Sequence, residues 1–247
     1  MLTTEQDRAS KKLAEQGFCM LPDLVPRSVI SEMLTQFETA FIQEEKSSWA
    51  SKSRGQIYAA RNLLQHIDLV REFWQQGFLK SFLRNELGHG FGLVRVLYFD
   101  KPPDRTWSLM WHKDTAIAVN SNRGASKYFS RPTVKAGVPH VVAADEILRQ
   151  MLTLRIHLDE VTDENGPLKV IPGSHKSSDS EGEGLVNAET ILAVKGEVMA
   201  MRPLLTHGSG ASIEGNKRHR RILHLEFSAS EELPDGYQWH DFVSISS

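Results

Sequence analysis

The chain of 247 residues holds a single cysteine, Cys19, and that scarcity removes several classes of protein at once. A lone thiol makes no internal disulfide and cannot build a cysteine zinc site or an iron–sulfur cluster. Charge of one sign is not in excess either: 29 Lys and Arg stand against 31 Asp and Glu, a formal net charge of -2. Nucleic acid is therefore not an expected partner, since the one dense basic run, Lys217 to Arg221, abuts a predicted strand rather than forming a patch. Long apolar runs are also missing. None approaches the ~20 residues that cross a bilayer, and the opening residues lack the charged-then-apolar layout of an export signal. The expected setting is the reducing cytoplasm, with no membrane association.

What is present reads as an ordinary globular protein, 40% hydrophobic and 24% charged, with enough apolar material for a core that needs no disulfide or structural metal. Chains of this length with much β structure commonly run as one unit, so one domain over 1–247 is expected. Helical periodicity fills the first part. Thr4 caps a helix running to about Gln16 and stopped by Gly17, and Phe18 to Leu21 form a short strand. Pro26 and Ser28 open a second helix with Ile30, Met33, Leu34, Phe37 and Phe41 on one face. A third helical stretch spans Ile67 to Leu87, ended by Gly88 and Gly90.

After Gly92 the pattern turns to short Val-, Leu- and Ile-rich runs: Leu93–Phe99, Leu152–Leu158, Leu168–Ile171, Glu197–Leu205 and Arg221–Phe227. Residues 1–90 thus read as a mainly helical cover and 91–247 as the β part, an α+β arrangement with helices packed on one sheet. Two aperiodic stretches, Asn120–His140 and Ser177–Gly184, read as mobile loops over a site.

The chemistry lies in the histidines. Ten are present, so any one alone is more often structural than a ligand. In Trp111-His112-Lys113-Asp114, however, the His and Asp are two apart, and on an extended backbone both project to one side. His207 ends another apolar run. Two imidazoles and a carboxylate on one face of an octahedral iron leave three positions open, the arrangement of non-haem Fe(II) oxygenases. A second His-x-Asp, His157 and Asp159, competes with the first, and spacing does not choose between them. The Asn165-Gly166 turn that follows it suggests a hairpin in which Asp159 merely helps to end a strand. A 2-oxo-acid cosubstrate would need an arginine for its free carboxylate. Among Arg218, Arg220 and Arg221, strand phase favours Arg220. It shares a side with Ile222, His224 and Glu226, whereas Arg221 shares the outward side of Leu223, Leu225 and Phe227. Lys217 and Arg218 read as solvated surface.

These residues resemble the phytanoyl-CoA dioxygenase family of Fe(II)/2-oxoglutarate enzymes. The marks are Lys101-Pro-Pro-Asp, Trp111-His-Lys-Asp, Glu164-Asn-Gly-Pro-Leu-Lys-Val-Ile-Pro-Gly-Ser-His175, Thr206-His-Gly-Ser-Gly and Arg220-Arg-Ile-Leu-His-Leu-Glu-Phe227, spread over most of the chain. The resemblance implies a double-stranded β-helix, a cupin-like jelly-roll barrel with N-terminal helices on one sheet. It implies iron ligands at His112, Asp114 and His207, which selects the first His-x-Asp over the second. It implies cosubstrate contacts from Arg220, Ser209, Arg155 and Leu97, although the family can carry Trp where this chain has Arg155. His175 is read as part of a Pro-Gly turn. The cofactors implied are Fe(II), 2-oxoglutarate and O2, and the reaction is oxidation of a small organic molecule with release of succinate and CO2. Hydroxylation leads, with desaturation and cyclisation as variants; the carboxylate of Asp114 speaks against halogenation. The alternative is a barrel that binds a ligand without turnover or uses Zn, and it has no need of Arg220. Substrate, pathway and oligomeric state are left open by the sequence.

Overall fold

The structure, a computed structural model, describes residues 4–22, 24–43, 49–53, 56–103, 107–177 and 187–245. Helix α1 (Thr4–Gln16) ends at Gly17, whose φ of 83° releases the chain into β1 (Phe18–Leu21). Helix α2 (Arg27–Gln43) follows the predicted apolar stripe. The third helical stretch differs from expectation. It is broken into α3 (Leu69–Glu72) and α4 (Gly77–Leu87), because Gln76 is extended (φ -140°, ψ 165°) and Gly77 turns the chain back with φ 60°. A hairpin of β2 (Ala50–Ser53) and β3 (Gln56–Ala60) also lies within the part read as helical.

The remaining strands are β4 (Gly92–Lys101), β5 (Leu109–His112), β6 (Ala116–Ala118), β7 (Phe129–Lys135) and β8 (Val138–Ala143), then, after the short α5 (Asp145–Leu148), β9 (Met151–His157). Beyond these come β10 (Leu168–Val170), β11 (Glu189–Ile191), β12 (Val198–Met201), β13 (His207–Ser209), β14 (Arg220–Ser228) and β15 (Val243–Ser244). An eight-stranded sheet runs β1-β12-β9-β14-β4-β3-β2, with β15 paired to β4; a four-stranded sheet runs β11-β10-β13-β5. A third sheet, β6-β8-β7, occupies Asn120–His140 in part, so that stretch is largely a hairpin rather than a loop. Of Ser177–Gly184 only Ser177 is described, and its carbonyl accepts from Lys113 Nζ at 2.6 Å. Among the described residues no helix is long and apolar enough to cross a membrane.

Alternation along β14 decides which side chains meet the helices. Leu223, Leu225 and Phe227 are buried in the core formed with Leu13, Ile30, Met33, Phe37, Trp74 and Leu83. Each such side chain contributes ~1.5–3 kcal/mol by burial, which ties the helical cover to the large sheet. The intervening residues Arg220, Ile222, His224 and Glu226 face the other way. They stand opposite Lys101, Phe99, Leu97 and Arg95 of β4, and Ile222, His224 and Glu226 also opposite His157, Arg155 and Thr153 of β9. This inner face is polar at its centre. It becomes apolar towards β12 and β1, where Phe18, Met199 and Met201 pack on Leu168, Val170 and Leu205 of the segments opposite. The result is a mainly β jelly roll of facing antiparallel sheets with helices outside.

The Asn165-Gly166 turn is real, but it does not make a hairpin. Thr162 N donates to Asn165 Oδ1 at 2.9 Å and Asn165 Nδ2 donates to the Glu160 carbonyl at 2.8 Å. The chain then crosses from β9 in the large sheet to β10 in the small one, where β10 pairs with β11 and β13.

Candidate active site

His112 ends β5 and His207 begins β13, and the two residues lie directly opposite each other across that antiparallel pair. Their rings stand 4.3 Å apart. Each Nδ1 faces a main-chain carbonyl two residues earlier, Met110 for His112 and Leu205 for His207, both at 2.8 Å. A carbonyl only accepts, so each Nδ1 carries the proton and each Nε2 is left with its lone pair. Asp114 lies just beyond β5, its main-chain N–H held by the Pro203 carbonyl at 2.9 Å. Asp114 Oδ1 is 3.6 Å from His112 Nε2 and Oδ2 is 3.5 Å from His207 Nε2. Ligand atoms of the three residues all lie within 4.8 Å of one another, a span that one ion can bridge. Asp114 Oδ2 is buried and has no hydrogen-bond partner among the described residues, as expected of a carboxylate oxygen shaped for a cation. Burial opposes ionisation of this carboxyl, but His207, His112 and His224 outweigh it and hold Asp114 well below the usual carboxylate range.

The competing His-x-Asp does not assemble. His157 is buried with Nδ1 donating to the Glu197 carbonyl at 2.9 Å. Asp159 lies past the end of β9, where it takes both Nε and Nη2 of Arg221 at 2.7 Å and the Arg221 main-chain N–H at 3.0 Å. That fork leaves no room for a metal, and it also accounts for Arg221, which sequence phase turned outward.

One cavity is lined by all seven predicted site residues: His112, Asp114, His207, Arg220, Ser209, Arg155 and Leu97. Phe99, Trp107, Leu109, Leu168 and His224 complete its wall. Arg220 and Arg155 are buried, and the Nε of each has no hydrogen-bond partner among the described residues. Burial, then the charge of Arg155, pushes Arg220 down to about 9 from its ordinary value of 12.5. Burial likewise pushes Arg155 down to about 10, against the pull of Asp114. Cations packed together this way await an anion.

Not every histidine at the cavity is poised for metal. Arg155 Nη1 lies 3.3 Å from His224 Nδ1, and a guanidinium only donates, so the proton of this ring sits on Nε2. Nε2 points to Glu226 Oε1 at 3.3 Å, and Glu226 in turn accepts two hydrogen bonds from Arg95, that from Nε at 2.8 Å. His224 Nε2 is also 3.8 Å from Asp114 Oδ2, so this chain of groups ends against the carboxylate of the candidate metal cluster.

The sequence profile of the phytanoyl-CoA dioxygenase family (PhyH) matches residues 13–219. The chain belongs to the phytanoyl-CoA dioxygenase family. It is accordingly a dioxygenase of the non-haem iron, 2-oxoglutarate-dependent kind. No curated protein matches it in sequence. Among solved structures it is similar to AviO1 from Streptomyces viridochromogenes, at 20% identity over 95% of this chain and 100% of that one, TM-score 0.64. The epimerase SnoN from nogalamycin biosynthesis shares 14% identity over 98% of this chain and 93% of its own, TM-score 0.66. EctD from S. alaskensis, solved with 2-oxoglutarate and 5-hydroxyectoine, shares 17% identity over 92% and 76%, TM-score 0.67. At such identities these likenesses establish the fold.

Sequence reasoning did not single out Lys101, Trp107 or His224 of the dioxygenase as site residues. His224 was placed on the inner side of its strand, but Lys101 appeared only within a family mark. His175 is structural: its ring lies against Gly17 and its Nε2 is 3.3 Å from the Ala14 carbonyl, at the end of α1.

Three buried histidines make the stability of the metal-free enzyme depend on acid. Burial pushes His157 down to about 3, and His140 and His207 to about 4, from an ordinary 6.5. A histidine whose pKa is depressed by folding binds fewer protons folded than unfolded, so its contribution is complete above about 6.5 and is lost as pH falls. The melting temperature of the metal-free protein is expected to drop between pH 6.5 and 4. In His157→Gln, which keeps a donor for the Glu197 carbonyl, the same scan should show a shallower slope. An unchanged slope would remove His157 from the account.

Proposed function

We propose that His112, Asp114 and His207 hold Fe(II), that Arg220 and Ser209 receive the free carboxylate of 2-oxoglutarate, and that the enzyme oxidises a C–H bond of a small organic molecule, with hydroxylation as the leading outcome. The observation that carries this reading is the pairing, in one cavity, of a His, Asp, His cluster with a buried, unpartnered arginine. A zinc hydrolase or passive binding barrel would use the first and leave the second without purpose. The donor set fits the metal: two neutral imidazoles and a carboxylate suit a divalent iron with open positions. Support also comes from the fold relatives, since EctD was solved with 2-oxoglutarate and SnoN is described as alpha ketoglutarate dependent.

When bound, iron and 2-oxoglutarate supply with O2 the power to break an unactivated C–H bond, releasing succinate and CO2. The protein's share is position. The backbone carbonyls of Met110 and Leu205 fix the two imidazole tautomers, and the Pro203 carbonyl fixes the approach of Asp114. Arg220 offers a planar fork that matches a carboxylate. Arg155, beside His224 in the cavity wall, adds positive charge near Arg220, and Leu97, Phe99 and Leu168 supply apolar lining.

The test separates adjacent arginines. Arg220→Lys keeps the charge and loses the fork, so 2-oxoglutarate affinity under anaerobic Fe(II) is expected to fall about tenfold to a hundredfold, ~1–3 kcal/mol. Iron binding should survive. Arg221→Lys, which breaks only the fork to Asp159, should leave that affinity unchanged and lower thermal stability instead. A loss confined to Arg221→Lys, or no loss in either, would remove the cosubstrate from this strand.

A further inference from the structure

Lys101 is an unusual residue to find fully buried, and it is 0% exposed. It ends β4 directly opposite Arg220 on β14, and so belongs to the inner face. Its ammonium has three hydrogens and accepts nothing. All three are used: Nζ donates to Ser209 Oγ at 3.0 Å, to the Gly166 carbonyl at 3.3 Å and to the Gly210 carbonyl. The Trp107 ring closes the remaining side, 4.7 Å from Nζ. Among the described residues no carboxylate partners the ammonium, and burial, then Arg220 and Arg155, push the lysine down to about 7 from 10.5. The cradle also explains the Asn165-Gly166 turn. Gly166 has φ 70°, and a Cβ there would come 2.6 Å from the Gly210 carbonyl oxygen and 3.0 Å from Nζ, so only glycine lets the two carbonyls converge on the ammonium.

The consequence falls on Ser209. A hydroxyl has one hydrogen, and its orientation is normally free. As an ammonium Lys101 can only donate, so Ser209 Oγ then accepts from it, and the hydroxyl hydrogen is turned to the remaining open direction, the cavity that Ser209 lines beside Arg220. We infer that Lys101 is a positioning residue for the free carboxylate of the cosubstrate, acting by committing the Ser209 hydroxyl as a donor to that carboxylate. This rests on the proposed function, and extends it to a residue with no hydrogen left to bind the ligand itself.

The experiment uses the full chain with anaerobic Fe(II) on the acid side of neutrality, where Lys101 is an ammonium, titrated with 2-oxoglutarate and, separately, with pyruvate, which has the same 2-oxo-acid end and no second carboxylate. Lys101→Met is expected to weaken 2-oxoglutarate about tenfold while pyruvate and Fe(II) affinities stay within about twofold. Ser209→Ala should do the same, and the double variant should lose no more than the worse single, since both remove one interaction. Equal weakening of both ligands in Lys101→Met would make its role merely structural and overturn the inference. So would additive losses in the double variant, or an unchanged 2-oxoglutarate affinity. If Lys101→Met does not fold, Ser209→Ala decides: a loss specific to 2-oxoglutarate supports the inference, and equal or no loss overturns it. A wild-type protein that binds Fe(II) but neither 2-oxo acid would overturn the proposed function, and this inference with it.

Discussion

Asp114→Ala is expected to lower Fe(II) affinity by more than about a hundredfold, beyond what loss of a supporting partner costs, and to abolish 2-oxoglutarate turnover. His157→Ala, in contrast, should leave iron affinity within about threefold. The two residues come from motifs of identical spacing, so the contrast is a direct reading of geometry. Asp114 has an oxygen with no hydrogen-bond partner and faces two imidazole nitrogens whose lone pairs are free. His157 has its Nδ1 spent on Glu197, and its companion carboxylate is spent on Arg221. Removing the His157 ring should cost stability, because it empties buried volume in the large sheet. Isothermal titration of the metal-free proteins with Fe(II) under nitrogen, with circular dichroism to confirm the fold, distinguishes the cases. Loss of iron binding in folded His157→Ala, or its survival in Asp114→Ala, would move the metal to the other motif.

The features legible in the sequence were those written in a single element. Apolar spacing with local start and stop residues located α1, β1 and α2, and the alternation of Arg220 to Phe227 assigned correct sides before any partner strand was known. His112 and Asp114 were readable as a pair because they are two residues apart. What escaped depends on partners distant in the chain. Lys101 owes its place to pairing with Arg220, 119 residues later, and to a glycine turn from a third segment; no local pattern encodes that. The β7–β8 hairpin escaped for another reason. Its two-residue connection, Ala136 and Gly137, takes φ 50° and 79°, a turn usually announced by Asn-Gly, and β7 is solvent-facing through most of its length. A half-exposed strand of polar residues with an alanine in a left-handed turn carries no signal of either kind. The break at Gly77 was written in the sequence, but a lone glycine inside a helical pattern is tolerated often enough that it does not mark a boundary by itself.

Arg95→Leu is expected to destabilise the protein by ~3–5 kcal/mol, about 6–20 °C in melting temperature for a chain of this size, although Arg95 is not itself placed at the metal or the cosubstrate. Arg95 and Glu226 stand opposite each other on β4 and β14, both buried, joined by two parallel hydrogen bonds. Burial opposes the charge on Glu226, and Arg95 is the main influence holding its carboxyl below the usual range, with His224 next. Without the guanidinium, that carboxylate keeps the His224 ring at 3.3 Å and the more distant charges of Arg61 and Lys135, none of which replaces the two hydrogen bonds. The sharper test is the double variant Arg95→Leu/Glu226→Met. Removing both charges takes away the uncompensated carboxylate, so the double variant should be more stable than the single, falling short of wild type by ~1 kcal/mol because His224 Nε2 loses its acceptor. Urea unfolding of the three proteins gives the comparison. A double variant no more stable than Arg95→Leu would mean that the loss comes from packing in the inner face rather than from a stranded charge.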